Sequence, residues 1–206
     1  ITGHLKPMNG ECSIEKKPIH AMLPQELARH ISIVSTERIR LTYLKVKDLL
    51  ALGRFPYSSF IGKLSEEDHR IIDETIQNLE IEPLVEKHLE QLSDGELQKA
   101  WIARAIIQNT PYIILDEPTT HLDLINRFHI FQLLKKLTKE QNKTILLSTH
   151  EIELALELAD KIILINQKGK LIAAPTKEFI EKGYVQRAFQ QKGIRFDGVA
   201  RKFFFS

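Results

Sequence analysis

The sequence predicts an α/β fold built on a parallel β-sheet with helices on both faces. Three observations carry that prediction. Residues 112–115 (YIIL), 144–147 (TILL) and 161–165 (KIILI) are short apolar runs of strand length. Segments whose apolar residues recur at helical spacing separate them. Runs this continuous suit strands buried on both faces, and such strands belong to parallel sheets layered between helices.

Taken in order, residues 1–10 (ITGHLKPMNG) read as a helix end followed by a Pro/Asn/Gly turn. Residues 11–19 and 31–34 are short strand candidates. From Val46 the pattern turns helical, and KVKDLLALG stops at Gly53, a plausible C-cap. SEED at 65–68 opens the next helix, with Ser65 as N-cap and Asp68 three residues on. Its apolar positions Ile71, Ile72, Ile76 and Leu79 keep near-helical spacing, and Pro83 ends the run or lies just past it. A third short helix is expected around 84–88. Residues 93–109 form a long helix candidate, which Pro111 breaks before the strand YIILDE. Helices over 125–141 and 151–159 flank the strand TILLSTH and lead into KIILIN. Lys168 and Gly169 lie between two alternating apolar runs and mark a hairpin. A helix over 176–190 and a strand over 194–205 finish the chain. The expected organisation is an N-terminal α/β segment (1–44), an α-helical subdomain (45–92) and a larger α/β segment with a terminal hairpin and helix (93–206).

A net charge of +2 over 206 residues supplies no field that would argue for nucleic acid or an anionic membrane as partner. The eight histidines do not cluster at metal-ligand spacing, and the single cysteine, Cys12, can form no internal disulfide. Both facts fit a reducing compartment. No apolar run approaches the roughly 20 residues that span a bilayer, so a membrane role would come through a partner. The chain begins at isoleucine without a signal-peptide pattern, and the expectation is that it starts inside a longer gene product.

The strand YIIL ends in Asp116, Glu117 and Pro118. Ligands of parallel sheets bind beyond the carboxyl ends of the strands, so acids there are placed for chemistry. One acid at a strand tip can hold magnesium through water, and the next can orient or deprotonate an attacking water. An isolated apolar run followed by two acids is equally well a solvated strand end. The context argues for chemistry. TTHLD follows at once, and the next apolar run ends in Ser148, Thr149 and His150 after a helical crossover. Two adjacent strand tips would then present Asp116, Glu117 and His150 to one crevice.

Ser93, Asp94 and Gly95 precede a helix that starts near Glu96. Unpaired amides and the dipole of a helix N-terminus attract phosphate. S-x-x-E is also an ordinary capping box, with Ser93 as N-cap and Glu96 at N3. One serine can do both. In order and spacing, LSDGE, QKAWIARAI, YIILDEP, THLD and STH resemble the signature, Walker B strand, D-loop and switch histidine of ABC-transporter ATPase subunits. The resemblance is strong over 92–150 and looser over most of the chain.

The resemblance implies a P-loop NTPase-like (RecA-like) core with an ABC-type α-helical subdomain and its N-terminal part missing. It implies ATP and Mg2+ as ligands, with Glu117 polarising water, Asp116 organising the metal through water, and His150 contacting the γ-phosphate. In a head-to-tail homodimer, Ser93, Asp94, Gly95 and Glu96 would close over nucleotide held by the partner, and Asp123 would couple the two sites. Against the usual LSGGQ, Asp94 and Glu96 add negative charge where phosphate binds, which should weaken binding unless they turn away. Thr36 and Glu37 stand where the family's Q-loop glutamine is expected. The GRFPY string at 53–57 is similar to importers of iron–siderophore complexes, haem or cobalamin. By that resemblance the helical subdomain meets membrane permease subunits, with Arg54, Tyr57 and Phe60 at the interface, and a substrate-binding protein takes part indirectly. The implied location is peripheral, on the cytoplasmic face of the cell membrane, with no nucleic-acid partner.

No GxxxxGK[ST] string, the P-loop that cradles phosphates, occurs in the sequence. The opening residues resemble the end of the helix that follows such a loop, so the loop is expected just upstream. These residues alone are then expected to bind ATP weakly and hydrolyse none. Two other readings compete. A translation or DNA-repair ATPase would carry tandem cassettes or long coiled-coil insertions. A non-catalytic dimerisation or regulatory module would have kept the fold and lost the nucleotide.

Overall fold

The structure, a computed structural model, describes residues 3, 5, 7–36, 43–58, 63–120, 122–165, 169–189 and 194–205. It divides into two compact units, Ile1–Ser148 and Thr149–Ser206.

In the first unit, the described part of residues 1–10 is a series of bends and not a helix end. Gly3 and Gly10 both take positive φ, which no helix continues through. Residues 11–19 fold into a small hairpin, β1 (Ser13–Ile14) against β2 (Lys17–Pro18), because Glu15 and Lys16 adopt the left-handed backbone of a tight turn. Helix α1 (Pro24–His30) has no counterpart among the elements predicted from sequence. It is seven residues long and buries no residue, so no apolar period announces it; Pro24 starts it. Strand β3 (Ile31–Val34) follows directly, as expected.

Helices α2 (Val46–Leu52) and α3 (Glu66–Leu79) form where the periodicity places them. Ser65 caps α3 as expected: its hydroxyl accepts from the Asp68 amide at 3.2 Å, and the Asp68 carboxylate accepts from the Ser65 amide at 2.9 Å. The helix expected around 84–88 does not form, and residues 85–88 are not helical. A 3-10 turn, Glu82–Leu84, leads into a segment whose Val85 and Lys87 carbonyls accept from the Lys47 and Val46 amides, each at 3.0 Å. The start of α2 takes the acceptors that a local helix would need.

Helix α4 (Asp94–Ile107) buries Ala100, Ile102, Ala103, Ala105, Ile106 and Ile107. Strand β4 (Tyr112–Asp116), helix α5 (Leu124–Glu140) and strand β5 (Thr144–Ser148) complete the unit. The three strands form one parallel sheet in the order β3-β4-β5, with α1 and α4 packed on β3 and α5 on β5. Central β4 hides Ile113 and Leu115 almost completely, whereas β5, paired on one side only among the described residues, is half-buried. The register pairs Val34 with Leu115 and Asp116 with Ser148, so the carboxyl ends of all three strands align. At their opposite ends, Thr110 donates to Ser32, and Gln108 donates to the Ala28 and Ile31 carbonyls. These buried bonds fix the register across the loops.

The second unit contains α6 (Ile152–Leu158), β6 (Lys161–Ile165), β7 (Leu171–Pro175), α7 (Thr176–Glu181), α8 (Tyr184–Phe189), β8 (Ile194–Asp197) and β9 (Lys202–Phe205). The run KIILI is not a third buried strand of the parallel sheet. It pairs antiparallel with β7, as the Lys168/Gly169 signal suggests. Ile162 and Leu164 pack on a core of Leu156, Ala174, Phe179, Val185 and Phe196, while Ile163 and Ile165 are exposed. A hairpin covered on one face buries alternate residues, even where both faces are apolar in sequence. The helix expected over 176–190 breaks at Gly183, whose φ is 63°. The last strand is a hairpin, turned by the Asp197 carboxylate accepting from the Val199 and Ala200 amides. Among the described residues, no helix is long and apolar enough to cross a membrane.

Candidate functional site

Parallel pairing of β3, β4 and β5 brings Thr36, Asp116, Glu117 and Ser148 together beyond the strand tips. The two oxygens of Asp116 each accept a hydroxyl bond, one from Ser148 at 2.5 Å and one from Thr36 at 2.9 Å. Those bonds, that of Ser148 foremost, hold the carboxyl below the usual carboxylate range. The carboxylate is exposed and keeps lone pairs for water-borne contacts. Glu117 is turned away from it by a left-handed backbone, φ 45°, although it precedes a proline, a position biased toward extended conformations. Ser148 pins that turn. Its hydroxyl and its carbonyl both accept from the Glu117 amide, at 3.0 and 3.2 Å. The Thr120 hydroxyl donates to the Glu117 carboxylate at 3.1 Å.

The signature residues lie at a second point of the same unit. Ser93 is the N-cap of α4 and Glu96 closes the capping box: the Glu96 carboxylate accepts from the Ser93 amide at 2.8 Å and meets the Lys87 ammonium at 3.3 Å. The Ser93 bonds and Lys87 together hold its carboxyl below the ordinary range. The charge of Glu96 is thus absorbed by the cap and a lysine. Asp94 is the first residue of α4, where a negative side chain suits the helix dipole. Asp123 caps α5, accepting from the backbone amide of Asn126 at 2.8 Å and from its side chain at 2.7 Å. The Asn126 amide is the chief cause of its lowered carboxyl pKa. Ser93, Asp94, Gly95, Glu96 and Asp123 line one open groove of about 570 Å³ with Lys87 and Lys99.

The site residues predicted from sequence therefore fall into two groups that the fold assembles, Thr36 with Asp116 and Glu117, and the 93–96 segment with Asp123. Glu37 and Phe60 lie outside the described residues. His150 is an exposed residue of the second unit. One expectation is corrected. Arg54 is not a surface contact: it is 6% exposed and ion-paired to Asp68 at 2.6 Å, because that carboxylate and a helix-end carbonyl satisfy its donors internally. Phe55, 71% exposed, is the prominent surface residue of that turn, and Tyr57 is partly exposed beside it. Sequence reasoning misses Ser148, Lys87 and Lys99 as members of these groups. Ser148 stands in the STH string, but only the pairing of β4 with β5 reveals its partners.

An ionised carboxylate with two hydroxyl oxygens beside it is a hard-oxygen environment, of the kind that suits magnesium bound through water. The described residues offer no cluster of three or more His, Cys, Asp or Glu for a tighter, all-protein metal site. Acids at parallel strand tips and an amide-rich helix start facing a groove are the parts of a phosphoryl-transfer site.

A family described as "ABC transporter" matches residues 1–120. The petrobactin import ATP-binding protein YclP of Bacillus subtilis is 36% identical over 185 residues, 90% of this chain and 73% of that protein. The iron(3+)-hydroxamate import ATP-binding protein FhuC of the same organism is 35% identical over 182 residues, 88% of this chain and 67% of that protein. Among solved structures, the dimeric ATP-binding cassette MJ0796 bound to ADP and Pi superposes with a TM-score of 0.69 at 31% identity, covering 79% of this chain and 72% of that one. With the strand-tip acids and the capped signature helix in place, these matches establish that the chain belongs to the ABC transporter family, as an ATP-binding subunit of the ATPase type.

Proposed function

We propose that these residues belong to the ATP-hydrolysing subunit of an importer of iron–siderophore complexes, haem or cobalamin, which works as a homodimer. The observation that carries the proposal is the Asp116–Glu117 pair at the tip of β4, tied on both residues to Ser148 of β5. The names of the petrobactin and iron(3+)-hydroxamate import relatives, together with the GRFPY string, support the importer class. Glu117 orients and polarises the water that attacks the γ-phosphorus, while ADP leaves in line. Asp116, kept ionised by Ser148 and Thr36, holds magnesium through water. When bound, that ion offsets the charge that builds on the transferring phosphoryl group. His150 contacts the γ-phosphate. Ser93 and Gly95 offer a hydroxyl and amides to nucleotide held by the partner subunit, and Asp123 links the two sites. Thr36 takes the place of the Q-loop glutamine by orienting Asp116, with Glu37 as a further polar group there.

The helical subdomain, 45–92, docks on membrane permease subunits through the exposed Phe55 and Tyr57, which places the protein on the cytoplasmic face of the membrane. A substrate-binding protein delivers cargo to the permease. No GxxxxGK[ST] phosphate cradle occurs in these 206 residues, and on this reading the 206 residues alone do not turn over ATP. The test is Glu117→Gln in the complete subunit. ATP turnover should fall by about a hundredfold or more, the size of a general-base contribution, while nucleotide affinity is kept. A Glu117→Gln subunit with normal turnover would refute the assignment.

A further inference from the structure

Arg54 presents a puzzle that the site does not absorb. It lies in a turn whose neighbour Phe55 is exposed, yet its own side chain is buried and bonded inside the protein. Its Nε donates to Asp68 at 2.6 Å, its Nη1 donates to the Ile107 carbonyl at 3.0 Å, and its guanidinium lies 4.2 Å from the centre of the Tyr57 ring. Ile107 is the last residue of α4, and its carbonyl is one of those a helix end leaves without an intrahelical donor. Gly53 seats the same turn on α4, since a Cβ there would lie 2.7 Å from the Arg104 carbonyl oxygen. From the other side, Arg29 and Gln25 of α1 donate to the Pro56 carbonyl at 2.9 and 3.4 Å.

A buried ion pair is neutral or costly relative to apolar packing, so stability alone does not explain one at this place. What it provides is fixed geometry. The guanidinium fork reaches a carboxylate and a carbonyl at once, which an ammonium does not reproduce. The turn, the start of α3 and the end of α4 are thereby held as one body. The other end of α4, roughly 21 Å away at 1.5 Å per residue over its 14 residues, is the Ser93 cap and signature segment.

We infer that Arg54, held by Asp68, is a positioning residue that transmits the docking of a permease on Phe55–Tyr57 through α4 to the nucleotide-facing signature segment. The inference rests on the proposal that this turn docks a permease. Arg54 touches neither nucleotide nor partner; it acts through α4.

The test uses the complete subunit reconstituted with its permease in vesicles. Arg54→Met combined with Asp68→Asn removes both buried charges and leaves Ser65 an acceptor for its cap. Arg54→Lys is a milder companion that keeps a counter-charge for Asp68 should the double variant not fold. Expected for the variant that folds is a loss of permease-stimulated ATPase of about fivefold or more, the low end of a coupling effect. Activity without permease and co-purification with permease should stay as in the wild type. An equal fall in both activities would make Arg54 merely structural and overturn the inference, and so would undiminished stimulation. Phe55→Ala separates the premise from the inference. If it leaves permease binding intact, the docking proposal fails and the inference with it. If it abolishes binding while the clamp variant keeps full stimulation, the inference alone fails.

Discussion

Asp68 is buried, and burial by itself would push its carboxyl up, yet bonds from Ser65 and Arg54 outweigh that and hold it below its ordinary value of 3.8. A carboxyl whose folded pKa is depressed contributes stability that is fully present above the unfolded pKa and is lost as pH falls through the folded one. The urea midpoint should therefore drop as pH is lowered below about 3.8, and Asp68→Asn should flatten that part of the profile. An unchanged slope in the variant would show that folding does not lower the Asp68 carboxyl pKa. At this scale the sequence is a good guide where bonds are local. The box joining Ser93 to Glu96 and that joining Ser65 to Asp68 span three residues each, and both form as expected. It is a poor guide where the partner is remote. The pair of Ser148 and Asp116 is 32 residues apart, and the Arg54 bond to Ile107 spans 53. Arg54 looks like a surface residue until α3 and α4 close over it.

Among the elements, α2 on α4 is the contact that glycine makes possible. Gly53 ends α2 as the sequence suggests, but its φ is −59°, so it is not needed for a left-handed cap. It is needed for space, because a methyl group would sit within 3.0 Å of the Arg104 carbonyl and the Ile107 side chain. Gly53→Ala should destabilise the chain by about 1–3 kcal/mol, the cost of overpacking, read as a lower urea midpoint at unchanged slope. A midpoint equal to the wild type would show that α4 yields freely. Long helices and buried strands are legible in the sequence because their burial is periodic or continuous. Helix α1 is not, since it buries no residue. The nature of the KIILI strand is not legible either, because an apolar run reads alike whether one face is covered or two.

For the molecule as a whole, the question is which half of an ATPase site these residues hold. They contain the two acids proposed to orient water and to organise magnesium, and the groove at the start of α4, and no GxxxxGK[ST] string. Titration of the 206-residue chain with ATP and magnesium should give weak binding and no phosphate release above background. Tight, magnesium-dependent binding would overturn that expectation. Five motifs in order, all contained in the sequence, carried the resemblance to the family, because the acids, the histidine and the capping serine that phosphate chemistry draws on are visible as residue types without any tertiary contact. Tertiary structure alone decided how those motifs are served. It tied Asp116 and Glu117 to Ser148, turned the charge of Glu96 into a cap beside Lys87, and drew Arg54 inward to the end of α4. The physical reason is range: a sequence displays the chemistry each residue carries, while a hydrogen bond across tens of residues exists only after strands and helices have packed.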